Sequence, residues 1–219
     1  MPRDWRKFWA EQADARHPAL TSSSITVSNW RSSAVIRPAS VCWSSAPARA
    51  CCSRRWVCSI RFYRGVDFSK KMLAVFRAAH ATMQVVCADA SRYVDDEPYD
   101  LICSNQMLQN SSPEMFRRYL ANARRMLAPG GRLVVGSIPW RGARNAFYLQ
   151  AANPSSTQGL SRRLALLARA YAGVDLIGYW YSYRECIQVA QRHGLTPTFF
   201  GRLHMRYRFR VRMDDTAPP

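Results

Sequence analysis

Two carboxylates in this chain stand where a short apolar run gives way to a polar one: Asp67 in RGVDFS and Asp89 in VVCADA. A third run, YDLICSNQ, ends instead in Ser104, Asn105 and Gln106. An aspartate at such a boundary can accept two hydrogen bonds at once, and bonds to a charged oxygen are stronger than neutral ones. In sheets of parallel strands, ligands sit at the carboxyl ends, which is where such residues emerge. A single acid of this kind is usually a surface residue at a strand end. Two of them in successive strand and helix units favour ligand contact.

The elements that must position these side chains can be read from the pattern. Phe62 to Asp67 forms a short strand, and Ser69 caps a helix over Lys70 to His80 with Met72, Leu73, Val75, Phe76 and Ala79 on one face. Gln84 to Cys87 is a second strand, ending at Ala88-Asp89-Ala90, and Tyr99 to Asn105 is a third. Ser112-Pro113-Glu114 combines an N-cap, an N1 proline and an acid in the first turn. The helix it opens repeats Met115, Phe116, Tyr119, Leu120, Ala123, Met126 and Leu127 at helical spacing. Pro129-Gly130-Gly131 stops it, and Arg132 to Ile138 is a nearly continuous apolar strand of the kind buried in a parallel sheet. Strands alternating with helices predict a doubly wound α/β fold.

Farther on, the pattern predicts helices within Ala143 to Tyr171. Ser182 with Glu185 makes a capping box for a helix through His193, stopped by Gly194. Thr196 to Phe200 and His204 to Met213 then read as an antiparallel strand pair. In the second strand Met205, Tyr207, Phe209, Val211 and Met213 form a core face, while Arg206, Arg208, Arg210 and Arg212 form a solvated one. Trp140, Tyr179, Trp180, Tyr181 and Tyr183 read as core or lid aromatics. His193 and His204 read as surface residues, since nothing places a carboxylate beside either.

In order, GVDFSKKML, CADA, YDLICSNQ, MLAPGGRLVVGSIP and the closing strand pair resemble the class I S-adenosylmethionine-dependent methyltransferases, over Arg61 to Met213. The resemblance implies a Rossmann-like seven-stranded sheet with a C-terminal antiparallel pair, and S-adenosylmethionine as cofactor. It implies that Asp67, with Phe68 beside it, bonds the ribose hydroxyls. Asp89 then faces the adenine amine, Ala90 supplies a backbone amide, and Ser104, Asn105 and Gln106 lie beside the methionine and the acceptor. No catalytic residue is assigned, because an activated methyl group needs mainly alignment with its acceptor.

Ser22 to Ile60 reads unlike the rest. It holds 11 Ser, 5 Arg, 4 Cys and 3 Trp, and no Asp, Glu, Lys, Gly or Leu. Linkers rarely concentrate Trp and Cys. The family places its first strand and a glycine loop, V-L-[DE]-L-G-x-G-x-G, in this region, and the chain has VCWSSAPARA. Shifting the reading frame back by one nucleotide turns Cys42-Trp43 into Leu for either cysteine codon, and Trp43-Ser44 into Glu for an AG-type serine codon. With G at the preceding third positions, the codons of Ala46, Ala48 and Ala50 each give Gly. Two compensating one-base changes, near Thr21 and Ile60, account for the whole segment. The expected organisation is an N-terminal helix over 1–21, an aberrant segment over 22–60, a methyltransferase core over 61–213 and a tail over 214–219. As written, the first strand and glycine loop are disrupted, and an apolar run such as Val35-Ile36 or Val57 to Ile60 is the available substitute.

The net charge of +18 and pI near 10.4 would ordinarily raise nucleic acid as a partner. Taking the aberrant segment's 5 arginines from +18 leaves +13, and restored acids lower it further, so nucleic acid is disfavoured. Seven cysteines without C-x-x-C spacing read as reduced thiols, with no metal site. No run is long and apolar enough for a membrane span, and the N-terminus lacks a signal-peptide core, which predicts a cytoplasmic protein. The expected partner is a small-molecule acceptor, either a metabolite or a surface-polysaccharide or lipid precursor. Its specificity is expected in the N-terminal helix with Trp5, Phe8 and Trp9, and in Ala143 to Tyr181. A degenerate inactive methyltransferase, a dinucleotide-dependent oxidoreductase and a basic nucleic-acid-binding protein are the other readings.

Overall fold

The computed structural model describes residues 41–42, 64–79, 81, 83–149, 159–173, 175–201 and 206–215. The helix expected over 1–21 and nearly all of the 22–60 segment lie outside the described residues. Within them the strands are β1 (Val41–Cys42), β2 (Arg64–Asp67), β3 (Gln84–Cys87), β4 (Tyr99–Asn105), β5 (Leu127–Pro139), β6 (Leu195–Gly201) and β7 (Arg208–Asp215). The α-helices are α1 (Lys70–Ala79), α2 (Pro113–Met126), α3 (Arg144–Tyr148), α4 (Leu160–Tyr171) and α5 (Tyr183–Arg192). Short 3-10 turns run over Leu108–Asn110 and Arg141–Ala143.

The sheet is mixed. One five-stranded unit runs β1-β4-β5-β7-β6, and β2 and β3 pair in parallel as a second unit. β4 runs parallel to β1 and β5, whereas β7 runs antiparallel to both β5 and β6. The slot beside β4 is taken by Val41–Cys42, in register with Ile102 and Cys103, and not by either apolar run expected to substitute there. Those two residues also lie against β2. At the other end of the strands Asp95 ties the units together: it accepts hydrogen bonds from Tyr93 Oη at 2.7 Å and Tyr99 Oη at 2.5 Å and pairs with Arg64 at 2.9 Å.

The helix starts follow local chemistry. Ser69 Oγ accepts from the Met72 N–H, Ser112 Oγ from the Met115 N–H, and Ser182 with Glu185 completes a reciprocal capping box. α2 lays Phe116, Tyr119, Leu120, Ala123 and Met126 into the core, where they meet Ile102, Leu133, Val135 and, from β7, Phe209, Val211 and Met213. Met115 does not join that row; it lines the cleft described below. α2 passes straight into β5 at Leu127, five residues earlier than the glycine pair suggests. Tyr99 is opposite Leu127 and Leu101 opposite Arg132, so residues 128–131 are looped out of the ladder. Gly130 there has φ +72°, and a Cβ at Gly131 would lie 2.8 Å from the Ala128 carbonyl oxygen.

The arginine face of β7 is solvated only in part: Arg206 is exposed and Arg210 and Arg212 are half-buried. Arg208 is only 7% exposed, and its Nη1 donates to the Ser137 carbonyl at 2.7 Å. Ser137 has φ +55° and sits in a bulge where two residues of β5, Gly136 and Ser137, oppose one of β7, Arg210. The bulge turns that carbonyl out of the ladder and gives the buried guanidinium an acceptor. Arg210 covers the Phe200 ring at 4.7 Å, and Arg212 bonds Asp214.

Between β5 and α5 a small lobe is organised around Asp175. Its Oδ1 accepts from Tyr148 Oη at 2.6 Å and the Ile177 N–H at 2.9 Å; its Oδ2 accepts from Trp180 Nε1 at 2.9 Å and Arg144 Nε at 3.0 Å. Around it pack Tyr148, Ala170 and Trp180, with Phe147, Leu166 and Tyr207 against them. Asp175→Ala would leave Tyr148 Oη and Trp180 Nε1 without this acceptor and Arg144 without its counter-ion, although Arg144 still donates to the Ala170 carbonyl. Removing one side of such a buried charged network costs about 3–5 kcal/mol, so thermal denaturation of Asp175→Ala is expected to show a large fall in Tm. An unchanged Tm would refute the hub.

Candidate functional site

The carboxyl ends of β2, β3 and β4 open onto one cleft, of about 530 Å³ counting the solvent at its mouth. Asp67, Phe68, Asp89 and Ala90 all line it, joined by Val66, Ser91, Met107, Asn110, Ser111 and Met115. The two acids meet because β2 and β3 pair in parallel with Asp67 opposite Cys87, two residues before Asp89.

Each carboxylate is held by its own loop. Asp67 Oδ1 accepts the Ser69 N–H at 2.7 Å, which also fixes the start of α1. Asp89 Oδ1 accepts the Ser91 N–H at 3.0 Å and Ser91 Oγ at 2.9 Å, and Asn122 Nδ2 clamps the Ser91 carbonyl. Asp67 is only 7% exposed, and burial raises its pKa to about 6, against the lowering effect of the Ser69 amide. Among the described residues no cation pairs with it. A buried carboxylate with a single side-chain hydrogen bond is poorly satisfied by the protein alone. Hydroxyl donors from a ligand would satisfy it.

Ser104 and Asn105 end β4 buried, 3% and 2% exposed, and neither is in the cleft wall. Asn105 Oδ1 lies over Gly136, where a Cβ would come within 2.8 Å of it. Gln106 follows with φ +57°, its N–H donating to the Gly136 carbonyl at 3.1 Å. The left-handed turn at Gln106 redirects the chain into the 3-10 turn over Leu108–Asn110, which brings Met107, Asn110 and Ser111 onto the cleft. Those residues, with Ser91 and Met115, were missed in the sequence. Their signal is only that the polar tip of β4 continues to Ser112, the cap of α2, and no periodicity reports a left-handed turn.

The Asp175 lobe reaches this wall. Tyr181 Oη donates to the Ser111 carbonyl at 2.5 Å and the Tyr179 N–H to the Gln109 carbonyl at 2.9 Å. Of the expected aromatics, Trp180 and Tyr181 are buried, Trp140 and Tyr183 are partly buried against the core, and Tyr179 is 37% exposed. His193 caps the end of α5, and His204 lies outside the described residues.

Comparison with known proteins agrees with this layout. A methyltransferase-domain family profile matches residues 46–135, which cover the cleft's β2, β3 and β4 loops and begin within the 22–60 segment. No curated protein matches the sequence. Among solved structures, a possible exported protein from Bordetella parapertussis superposes with a TM-score of 0.56 at 18% identity, over 83% of this chain and 63% of that one. Magnesium protoporphyrin IX methyltransferase from Synechocystis, with bound S-adenosylhomocysteine, gives 0.57 at 12% identity over 81% of this chain and 74% of that one. The N-methyltransferase NodS from Bradyrhizobium japonicum, also with S-adenosylhomocysteine, gives 0.54 at 16% identity over 82% and 80%. At these identities the likeness establishes the fold. The profile match marks residues 46–135, less than half of the chain, as similar to a methyltransferase domain, and the solved structures add a shared fold around it.

Proposed function

We propose that this protein belongs to an enzyme line that transfers the methyl group of S-adenosylmethionine to a small-molecule acceptor, and that the 22–60 segment as written deprives it of part of its cofactor site. The observation that carries the reading is the pair Asp67 and Asp89 on one cleft, each anchored through Oδ1 to its own loop, with Asp67 buried.

These residues fit the adenosine end of the cofactor. Asp67 would accept from the ribose diol, Phe68 and Met107 offer apolar walls for the base, and Asp89 with the Ala90 amide would meet the polar edge of the adenine. Ser104, Asn105 and Gln106 would border the methionine end. The positive φ of Gln106 supports this, since left-handed non-glycine residues cluster at functional sites. S-adenosylmethionine supplies an electrophilic methyl carbon, and the chain's own contribution is to align an acceptor and exclude water. No side chain is assigned as a base.

β1 beside β4 and against β2 supports a single seven-stranded sheet in the order β3-β2-β1-β4-β5-β7-β6, with Val41–Cys42 in the place of the family's first strand. Among the described residues no helix is long and apolar enough to cross a membrane. A cytoplasmic site of action, a small-molecule acceptor and the division at residues 21, 60 and 213 remain part of this reading.

The test is transfer of labelled methyl from S-adenosylmethionine by the frame-restored chain into pooled small-molecule extracts, with nicotinamide cofactors titrated in parallel. Labelled product supports the reading. Binding of a nicotinamide cofactor without methyl transfer would overturn it in favour of an oxidoreductase.

A further inference from the structure

Arg208 is buried, 7% exposed, yet its guanidinium makes one hydrogen bond among the described residues, from Nη1 to the Ser137 carbonyl. It also lies over the adjacent Tyr207 ring at 5.2 Å, and its enclosed Nε donates to nothing. The second half of the chain offers it no counter-ion. The acids after Asp100 are Glu114, Asp175, Glu185, Asp214 and Asp215, and each pairs with a different arginine: Arg118, Arg144, Arg141, Arg212 and Arg124 in turn. A guanidinium stays protonated on burial, unlike an ammonium or an imidazole. A buried cation facing a single carbonyl is therefore poorly satisfied by the protein alone. Holding the Ser137 carbonyl needs one N–H and no charge. With Nη1 committed there, the Nε and Nη2 edge is left, and that edge is the fork that matches two oxygens of a carboxylate or a phosphate.

The sheet relates this edge to the cleft. Arg208 stands opposite Pro139, at the carboxyl end of β5. β7 is the second neighbour of β4, which at the usual strand spacing puts Arg208 about 10 Å across the sheet from the tip of β4. The backbone between them is left-handed at both strand ends. Ser137, the acceptor of Arg208, has φ +55°, and Gln106, whose N–H bonds the Gly136 carbonyl, has φ +57°. Non-glycine residues in that conformation cluster at functional sites. Met107 continues from Gln106 onto the cleft wall, which Arg208 itself does not line.

We propose that Arg208 binds the acidic group of the methyl acceptor, a carboxylate or a phosphate, so that the acceptor is an anion. The proposal rests on the methyltransferase reading, in which the methyl group is delivered beside the tip of β4. An acid held at Arg208 sets the acceptor across the ends of β4 and β5 with its far end toward that tip. Arg208 is then a substrate-binding residue for the acceptor and has no part in holding adenosine.

The first test uses the Arg208 Nε–H resonance of the full chain, identified by its loss in Arg208→Met. Arg208→Lys removes the same signal and serves if the methionine variant does not fold. Acetate and inorganic phosphate are each titrated to about 50 mM against sodium chloride at equal ionic strength. A saturable shift with acetate or phosphate, and not with chloride, is expected, and the probe that saturates at lower concentration tells carboxylate from phosphate. No shift beyond that from chloride would overturn the proposal. The second test offers the frame-restored chain labelled S-adenosylmethionine with small-molecule extracts split by anion exchange into acidic and non-acidic pools. Label is expected in the acidic pool. Arg208→Met is expected to slow that transfer about a hundredfold while changing S-adenosylhomocysteine affinity less than about twofold, a split that general loosening of the fold would not give. Label confined to the non-acidic pool, or transfer indifferent to the substitution, would overturn the proposal. A shift at Arg208 without transfer to either pool supports the anion site and counts against the methyltransferase reading, so the two fail separately.

Discussion

Asp67→Asn abolishes recognition of S-adenosylhomocysteine by the frame-restored chain without unfolding it. Two hydrogen bonds from a ribose diol to a charged acceptor contribute about 1.5–3 kcal/mol each, so affinity is expected to fall about a hundredfold or more. The same substitution relieves a burial cost. With a folded pKa of about 6 against 3.8 for the free side chain, Asp67 is protonated more readily in the folded chain than in the unfolded one. The stability this group contributes is therefore fully present below pH 3.8 and is lost as pH rises through about 6. Above that, the buried charge costs roughly 3 kcal/mol. Cofactor affinity runs the other way, because the diol prefers the carboxylate, so binding weakens as pH falls through about 6. Asp67→Asn should flatten the part of both profiles that belongs to this group. Calorimetric titration across pH 5 to 8, with thermal denaturation alongside, checks both. A substitution that lowers Tm and leaves affinity intact would show that Asp67 is a structural acid at a strand end.

Restoring the reading frame across codons 21 to 60 has the larger effect. On the proposed reading the described residues would hold the adenosine end of the cofactor, but the glycine loop that would cradle the rest is absent from the chain as written. Glycines there allow close backbone approach and present amides at a helix start, and no Ala, Arg or Ser in their place does both. The restored chain regains a first strand, V-L-E-L, in the position where Val41–Cys42 pairs with β4. A full central strand adds ladder bonds and apolar contacts on both faces, so the restored chain is expected to be more stable as well as competent for cofactor. Sequencing the coding DNA across codons 20 to 62 shows whether the change lies in the gene or in its reading. One-base differences at both edges are expected. An unaltered gene together with a stable, cofactor-binding product would contradict the frame account.

Much of this fold was legible because local chemistry carried it. The bounds of β3 and β4 and the caps at Ser69, Ser112 and Ser182 follow from side chains acting within three residues of themselves. Asp67, Phe68, Asp89 and Ala90 were found at the cleft for the same reason: strand ends are local, and parallel pairing brings them together. What the sequence hid depends on long-range partners. Arg208 alternates like a surface residue, yet the Ser137 bulge, 71 positions away, buries it. Asp175 gathers donors from as far as Arg144, 31 positions away, and no motif announces it. The left-handed turn at Gln106 moved the cleft wall past the tip of β4, to Met107, Asn110 and Ser111.

The most direct measurement is calorimetric titration of S-adenosylhomocysteine into the chain as written and the frame-restored chain, side by side. Micromolar binding to the restored chain, with no heat of binding to the chain as written, is the expected result. Equal binding by both would show that the cleft around Asp67 and Asp89 needs no glycine loop. Binding by neither would remove the methyl-donor site from this cleft.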